Sequence, residues 1–83
     1  MFLKKDLVNG MVVEFNDGHR RLVWNDRLID SHGYIPMSYI NDKLINIDHI
    51  HKEYIARIYL THDIGYLTDF FNDKNLSCIW ENK

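Results

Sequence analysis

An Asp-Gly pair between two β-prone runs constrains this chain more than any other feature. Met11-Val12-Val13-Glu14-Phe15 and Arg20-Arg21-Leu22-Val23-Trp24 flank Asn16-Asp17-Gly18-His19. Asp-Gly is favoured in a type I′ hairpin loop, where both central residues need φ > 0. Centring the loop on Asp17-Gly18 predicts Asn16 opposite His19, Phe15 opposite Arg20, Glu14 opposite Arg21 and Val13 opposite Leu22. Strand alternation then places Met11, Val13, Phe15, Leu22 and Trp24 on one face. The other face takes Val12, Val23 and the opposite-charge pair Glu14–Arg21, worth about 0.2–1 kcal/mol.

The rest of the chain supplies more short strands. Lys4 through Gly10 read as a lead-in turn, with Gly10 giving a permissive backbone position before the hairpin. Arg27-Leu28-Ile29-Asp30 and Tyr34-Ile35-Pro36 read as strands around Ser31-His32-Gly33. Pro36 has no N–H to give a ladder, so the second of these lies at an edge or ends there. Met37, Ile40, Leu44, Ile47, Ile50 and Tyr54 follow a 3–4 spacing that suits an amphipathic helix. Asn41, Asp42, Asn46 and Asp48 interrupt it with poor helix formers. A single helical turn capped by Ser38, followed by an irregular loop through Asp48, is the preferred expectation. Residues 54–60 read as a central strand, 63–71 as a short helix, 72–75 as a turn and 76–81 as a closing strand. The expected fold is mainly β with short α elements, over one domain spanning residues 1–83. It is either a small, strongly bent antiparallel sheet or an SH3-like barrel. The alternative is an α+β fold with one longer helix around 37–54.

Composition narrows the function classes. With 46% hydrophobic and 27% charged residues among 83, the chain has material for one thin core, burying roughly 60–65% of the unfolded surface. Ten Lys and Arg against twelve Asp and Glu give a net charge of -2. That balance argues against nucleic acid as a partner and against docking on anionic lipid. Cys78 is the single cysteine, so no internal disulfide framework exists. Its place in Leu76-Ser77-Cys78-Ile79-Trp80 suggests a buried, inert thiol. The N-terminal residues lack a signal-peptide h-region, and no apolar run approaches the roughly 20 residues of a membrane span. A cytoplasmic protein without a membrane role is expected. Ten Ile and eight Asn stand against one Ala and no Gln, a bias expected of AT-rich coding sequence.

Catalytic and metal patterns are weak. His49 and His51 would share a strand face, with His62-Asp63 a further contributor, but the spacing is not that of a zinc site. Ser31, Ser38 and Ser77 lack a nucleophile-elbow context, and Gly10, Gly18, Gly33 and Gly65 stand apart from one another. No enzyme, no metal and no cofactor are expected. One constellation carries more chemistry: Arg20, Arg21, Trp24, Asn25, Arg27, His32, Tyr34 and Tyr39 fall within twenty residues. Arginine forks bind phosphates bidentately, and aromatic faces stack on bases or anchor protein interfaces. The competing reading buries Trp24 and one tyrosine and pairs the arginines with Asp26, Asp30 and Glu14. Aromatic residues make up 13% of the chain, more than so thin a core readily hides.

Four stretches share a pattern with known sequences. They are Leu7-Val8-Asn9-Gly10-Met11-Val12-Val13-Glu14 followed by Gly18-His19-Arg20-Arg21-Leu22-Val23; Gly33 through Leu44; Ile55-Ala56-Arg57-Ile58-Tyr59; and Asn75-Leu76-Ser77-Cys78-Ile79-Trp80-Glu81. In these places the chain resembles small uncharacterised phage and prophage proteins of low-GC Gram-positive bacteria. Met37-Ser38 and Asn41-Asp42 occupy that group's "L-S-x-Y-N-x-D-L" zone, with Ile40 where tyrosine is usual and Lys43 where an acid is usual. The resemblance implies a phage origin and carries over no functional residue. The expected function is a phage-encoded, non-enzymatic binding protein for counter-defence or host takeover. It would sequester a nucleotide-like small molecule, such as an immune signal, in a homo-oligomeric assembly. The alternative is an inhibitor or adaptor that binds a host protein.

Overall fold

The computed structural model describes residues 2–47, 53–61 and 72–82. Six strands form one antiparallel sheet: β1 (Val12–Phe15), β2 (Arg20–Trp24), β3 (Arg27–Asp30), β4 (Gly33–Pro36), β5 (Ile55–Thr61) and β6 (Leu76–Glu81). Among the described residues, 3-10 turns at Lys4–Asp6, Met37–Tyr39 and Asp73–Asn75 precede β1, follow β4 and precede β6. The strand order is β4-β3-β2-β1-β5-β6. A four-strand meander therefore runs to one edge, and β5 returns to the free side of β1. The sheet curls but does not close, leaving β4 and β6 as its edges. A bent antiparallel sheet is thus the fold. Pro36 sits on the edge strand, as its missing donor requires.

The hairpin register differs from the expected one by a single residue. Val12 pairs with Leu22, Val13 with Arg21 and Glu14 with Arg20. The loop contains three residues, Asn16-Asp17-Gly18, closed by Phe15 N–H to His19 O at 2.8 Å and Gly18 N–H to Phe15 O at 2.8 Å. Gly18 takes φ +90°, the left-handed position that ends such a loop. Asp17 Oδ1 accepts the His19 N–H instead of forming half of a two-residue turn. The two-residue loop with φ > 0 at both positions occurs at the next connection, Asn25-Asp26, where φ is 52° and 59°.

This shift exchanges the faces of β2. Leu22 and Trp24 leave the expected inner set, and Val23 joins it. The inward row Val23–Leu28–Ile35 crosses β2, β3 and β4. The core comprises Val13, Phe15, Val23, Leu28, Ile40, Leu44, Ile55 and Ile58, with Met11, Ile35, Met37 and Trp80 packed against it. Trp24 is therefore not a core residue; it is 49% exposed. The charge pair moves in the same way, from the expected Glu14–Arg21 to Glu14–Arg20.

No long helix forms over the described part of 37–54. The Met37–Tyr39 turn is preceded by Pro36 rather than capped by Ser38. Beyond it, Asn41 Oδ1 accepts from Lys43 N–H at 2.9 Å and Ile45 N–H at 3.1 Å. Such local side-chain bonds compete with helix. Isolated bridges Ile40↔Asn46 and Ile45↔Tyr54 replace it. The result is a loop that drives Ile40 and Leu44 into the core. The expected helix over 63–71 lies outside the described residues.

β5 lies between β1 and β6, the central position its mixed pattern suggested. The expected burial of Cys78 does not hold: Cys78 is exposed. A register shift beside Ile58 inserts Ile79, so Trp80 pairs with Ile58 and Cys78 with Tyr59. Trp80 takes the inward position because it follows core residue Ile58, while Cys78 follows Tyr59 onto the other face.

Candidate functional site

Register organises the outer face into two rows. One runs Arg20–Glu14–Arg57–Glu81 across β2, β1, β5 and β6. Its charges alternate, and each neighbouring pair is bonded. Arg20 Nε donates to Glu14 Oε1 at 2.8 Å, Arg57 Nη1 to Glu14 Oε2 at 2.7 Å, and Arg57 Nε to Glu81 Oε2 at 2.7 Å. Tyr59 O–H adds a donor to Glu14 at 3.2 Å. Arg20 also reaches Asp73 at 2.6 Å and lies 5.1 Å from the Tyr59 ring centroid. Burial alone would raise the Glu14 pKa, but hydrogen bonds from Arg20 and Arg57 outweigh it and hold the carboxyl below its usual value. Burial, followed by the Glu14 charge, raises the Tyr59 hydroxyl.

The second row runs Tyr59–Val12–Leu22–Ile29–Tyr34 across five strands. One pleat further along β2, Trp24, Arg27 and Pro36 lie side by side. Val12 and Leu22 are buried, whereas Tyr34 is 60% exposed. The Arg27 guanidinium stands 5.1 Å from the centroid of the Tyr34 ring. The outer face of β2–β4 thus ends in an open platform of Trp24, Arg27 and Tyr34.

The eight residues singled out in the sequence do not form one site. Arg20 and Arg21 are neighbours on a strand and point to opposite faces. Arg20 belongs to the charge row. Arg21 approaches Asp30 Oδ2 at 3.5 Å and Glu53 Oε1 at 3.8 Å, beneath the Phe15 ring at 4.9 Å. Its Nη1 is buried without a hydrogen-bond acceptor, and Glu53 is itself held by Asn46 Nδ2 at 3.1 Å. Asn25 is a turn residue whose N–H goes to Asn9 Oδ1 at 2.9 Å. Tyr39 lies in the second 3-10 turn, where its carbonyl accepts Ile47 N–H.

His32 occupies the β3–β4 connection. It shares a shallow cleft of about 340 Å³ with His19, Arg20 and Asp30. His19 Nε2 lies 2.7 Å from Asp30 Oδ2, and His32 N–H donates to Asp30 Oδ1 at 2.8 Å. Burial favours the neutral Asp30 carboxyl, but the His19 bond, the His32 N–H and the Arg21 charge outweigh it and lower its pKa. The cleft's charges answer one another inside the fold, so of the eight candidates Trp24, Arg27 and Tyr34 remain together as an open set.

The expected pairing of arginines with Glu14 and Asp30 holds for Arg20 and Arg21, and Arg27 instead stacks on Tyr34. The sequence reading missed Arg57, Tyr59, Asp73 and Glu81 as members of the charge row. Its sequence signal is a single charged residue on each of β1, β5 and β6, which carries meaning once β1 is known to pair with β5. Among the described residues, no three His, Cys, Asp or Glu side chains gather as metal ligands. His49, His51 and His62, the residues weighed for such a site, lie outside the described residues. No described helix is long and apolar enough to cross a membrane. Comparison with protein-family models, curated proteins and solved structures finds no match for the chain.

Proposed function

We propose that this chain is a non-enzymatic binding protein whose working surface is the Trp24–Arg27–Tyr34 platform, and that its partner is a host protein. The observation that supports this is the exposure of Trp24 and Tyr34 at 49% and 60%, with Arg27 stacked on the latter. Trp, Tyr and Arg dominate the energetic centres of protein interfaces because they bury large areas at low entropic cost. The aromatic content of this 83-residue chain exceeds what its thin core hides, and two large aromatics left open on one face are suited to an interface. Host takeover or counter-defence is the setting that the resemblance to phage proteins suggests.

Sequestration of a nucleotide-like molecule is the second reading. The Arg27–Tyr34 stack favours it, since a guanidinium over a ring suits a base beside a phosphate. It loses ground because Arg20 and Arg21 are engaged by Glu14, Asp73 and Asp30 within the fold. A homo-oligomer would supply the missing walls of such a site.

The test is affinity capture from host cells with the parent chain and with Tyr34→Thr. One protein retained by the parent and lost by the variant supports the platform as a protein-docking surface. Equal capture by both, or none by either, overturns it. A melting-temperature rise with cyclic dinucleotides or ADP-ribose derivatives would support the second reading, because a ligand that binds only the folded state stabilises it.

A further inference from the structure

We infer that a second cleft, near the β2–β3 turn, binds a small zwitterion built around an aliphatic body. The cleft has a volume of about 420 Å³, within the range of small-molecule sites. Lys4 and Lys5 of the first 3-10 turn, Asp26 of the β2–β3 turn and Asp42 of the loop after the second 3-10 turn line it. Leu7, Val23 and Met37 give it an apolar lining. None of the four charged side chains lies within ion-pairing distance of a described acid or base. This contrasts with Arg20, Arg21 and Arg57, each of which reaches two carboxylates.

The elements that display these charges are fixed by the backbone. Asn9 Oδ1 holds the Asn25 N–H at 2.9 Å, and Met37 N–H donates to Asp26 O at 2.8 Å. Asp42 follows Asn41, whose side chain braces the loop, and Leu44 completes that loop at φ +65° with only 2% of its surface exposed. A left-handed conformation at a bulky residue is strained and persists only where packing enforces it. The cleft is therefore shaped before any ligand arrives, which lowers the entropic cost of binding.

The charge pattern selects the ligand class. A simple anion suits Lys4 and Lys5 but meets Asp26 and Asp42, and a simple cation has the reverse difficulty. A molecule with an ammonium and a carboxylate answers both pairs, and an aliphatic body covers the half-buried Leu7 and Met37. Free aliphatic amino acids and short aliphatic peptides share this chemistry.

Calorimetry and melting curves on the full chain test it, with L-leucine and leucyl-leucine as probes. Leucinamide lacks the carboxylate, and 4-methylpentanoate lacks the ammonium. At least one zwitterion should bind and raise the melting temperature, and each single-charge analogue should bind at least about tenfold more weakly. Preference for the amino acid or the dipeptide identifies the source. Absence of binding by both zwitterions overturns the inference, as does equal binding by either analogue. The Lys5→Gln/Asp42→Asn double variant should keep the parent's unliganded melting temperature, because both side chains are exposed, and should lose the ligand-induced rise. An undiminished rise in that variant also overturns the inference. Neither residue belongs to the Trp24–Arg27–Tyr34 platform, so this result stands apart from the capture experiment.

Discussion

The two halves of the outer face use the same residue types for different ends. On the β2–β1–β5–β6 side, arginines alternate with glutamates, and Glu14 is 8% exposed while bonded to Arg20, Arg57 and Tyr59. On the β2–β3–β4 side, Arg27 leans on an aromatic ring, and its neighbours Trp24 and Tyr34 remain open. An arginine answered by a buried carboxylate ties strands together, while one stacked on an exposed ring keeps its donors available to a partner. Arginine content alone therefore does not locate a binding surface; the partner of each guanidinium does.

The sharpest way to break this contrast is to remove Glu14. Glu14→Ala leaves two guanidiniums and a hydroxyl without their shared acceptor, and should cost about 2–4 kcal/mol in urea unfolding. A loss below about 1 kcal/mol would mean that the row contributes little. Acid should weaken the charge row and, separately, the contacts of Asp30 on β3. Glu14 and Asp30 have folded pKa values below their usual ones, 4.5 and 3.8. Their stabilisation is thus complete above the unfolded values and is lost as pH falls through the folded ones. Urea midpoints should stay level from neutrality to about pH 5 and then decline, with a shallower decline in Glu14→Gln.

The platform should respond in the opposite sense. Trp24→Thr keeps a β-prone residue on β2 and should cost about 1 kcal/mol, the share of its half-buried area. Its effect on partner capture should nevertheless be complete. Glu81→Ala removes an ion pair whose members are both substantially open to solvent, and should leave the urea midpoint almost unmoved.

Much of the fold was legible from local chemistry. The strands 27–30 and 76–81 were readable as short apolar runs beside turn residues, and the edge position of Pro36 followed from its missing donor. The hairpin register was not readable, because Asp17-Gly18 fits both a two-residue loop and the last two positions of a three-residue one. That ambiguity of one residue moved Trp24 from the core to the surface and changed the partner of Glu14. The charge row was hidden for another reason: Glu14 and Arg57 are 43 residues apart, and nothing local announces that β5 returns to β1. The platform was half legible. Trp24, Arg27 and Tyr34 were among the candidates, but the carboxylates that claim Arg20 and Arg21 appear only in the folded chain.

The central claim is that the charge row holds the sheet while the platform is kept for binding. Urea unfolding of Glu14→Ala and Tyr34→Thr, side by side with the parent, tests it most directly. Tyr34→Thr should cost less than about 1 kcal/mol, since most of the Tyr34 ring is already in solvent, and Glu14→Ala should cost at least twice as much. A Tyr34→Thr loss equal to or larger than that of Glu14→Ala would make the aromatic part of the structural core and contradict the account.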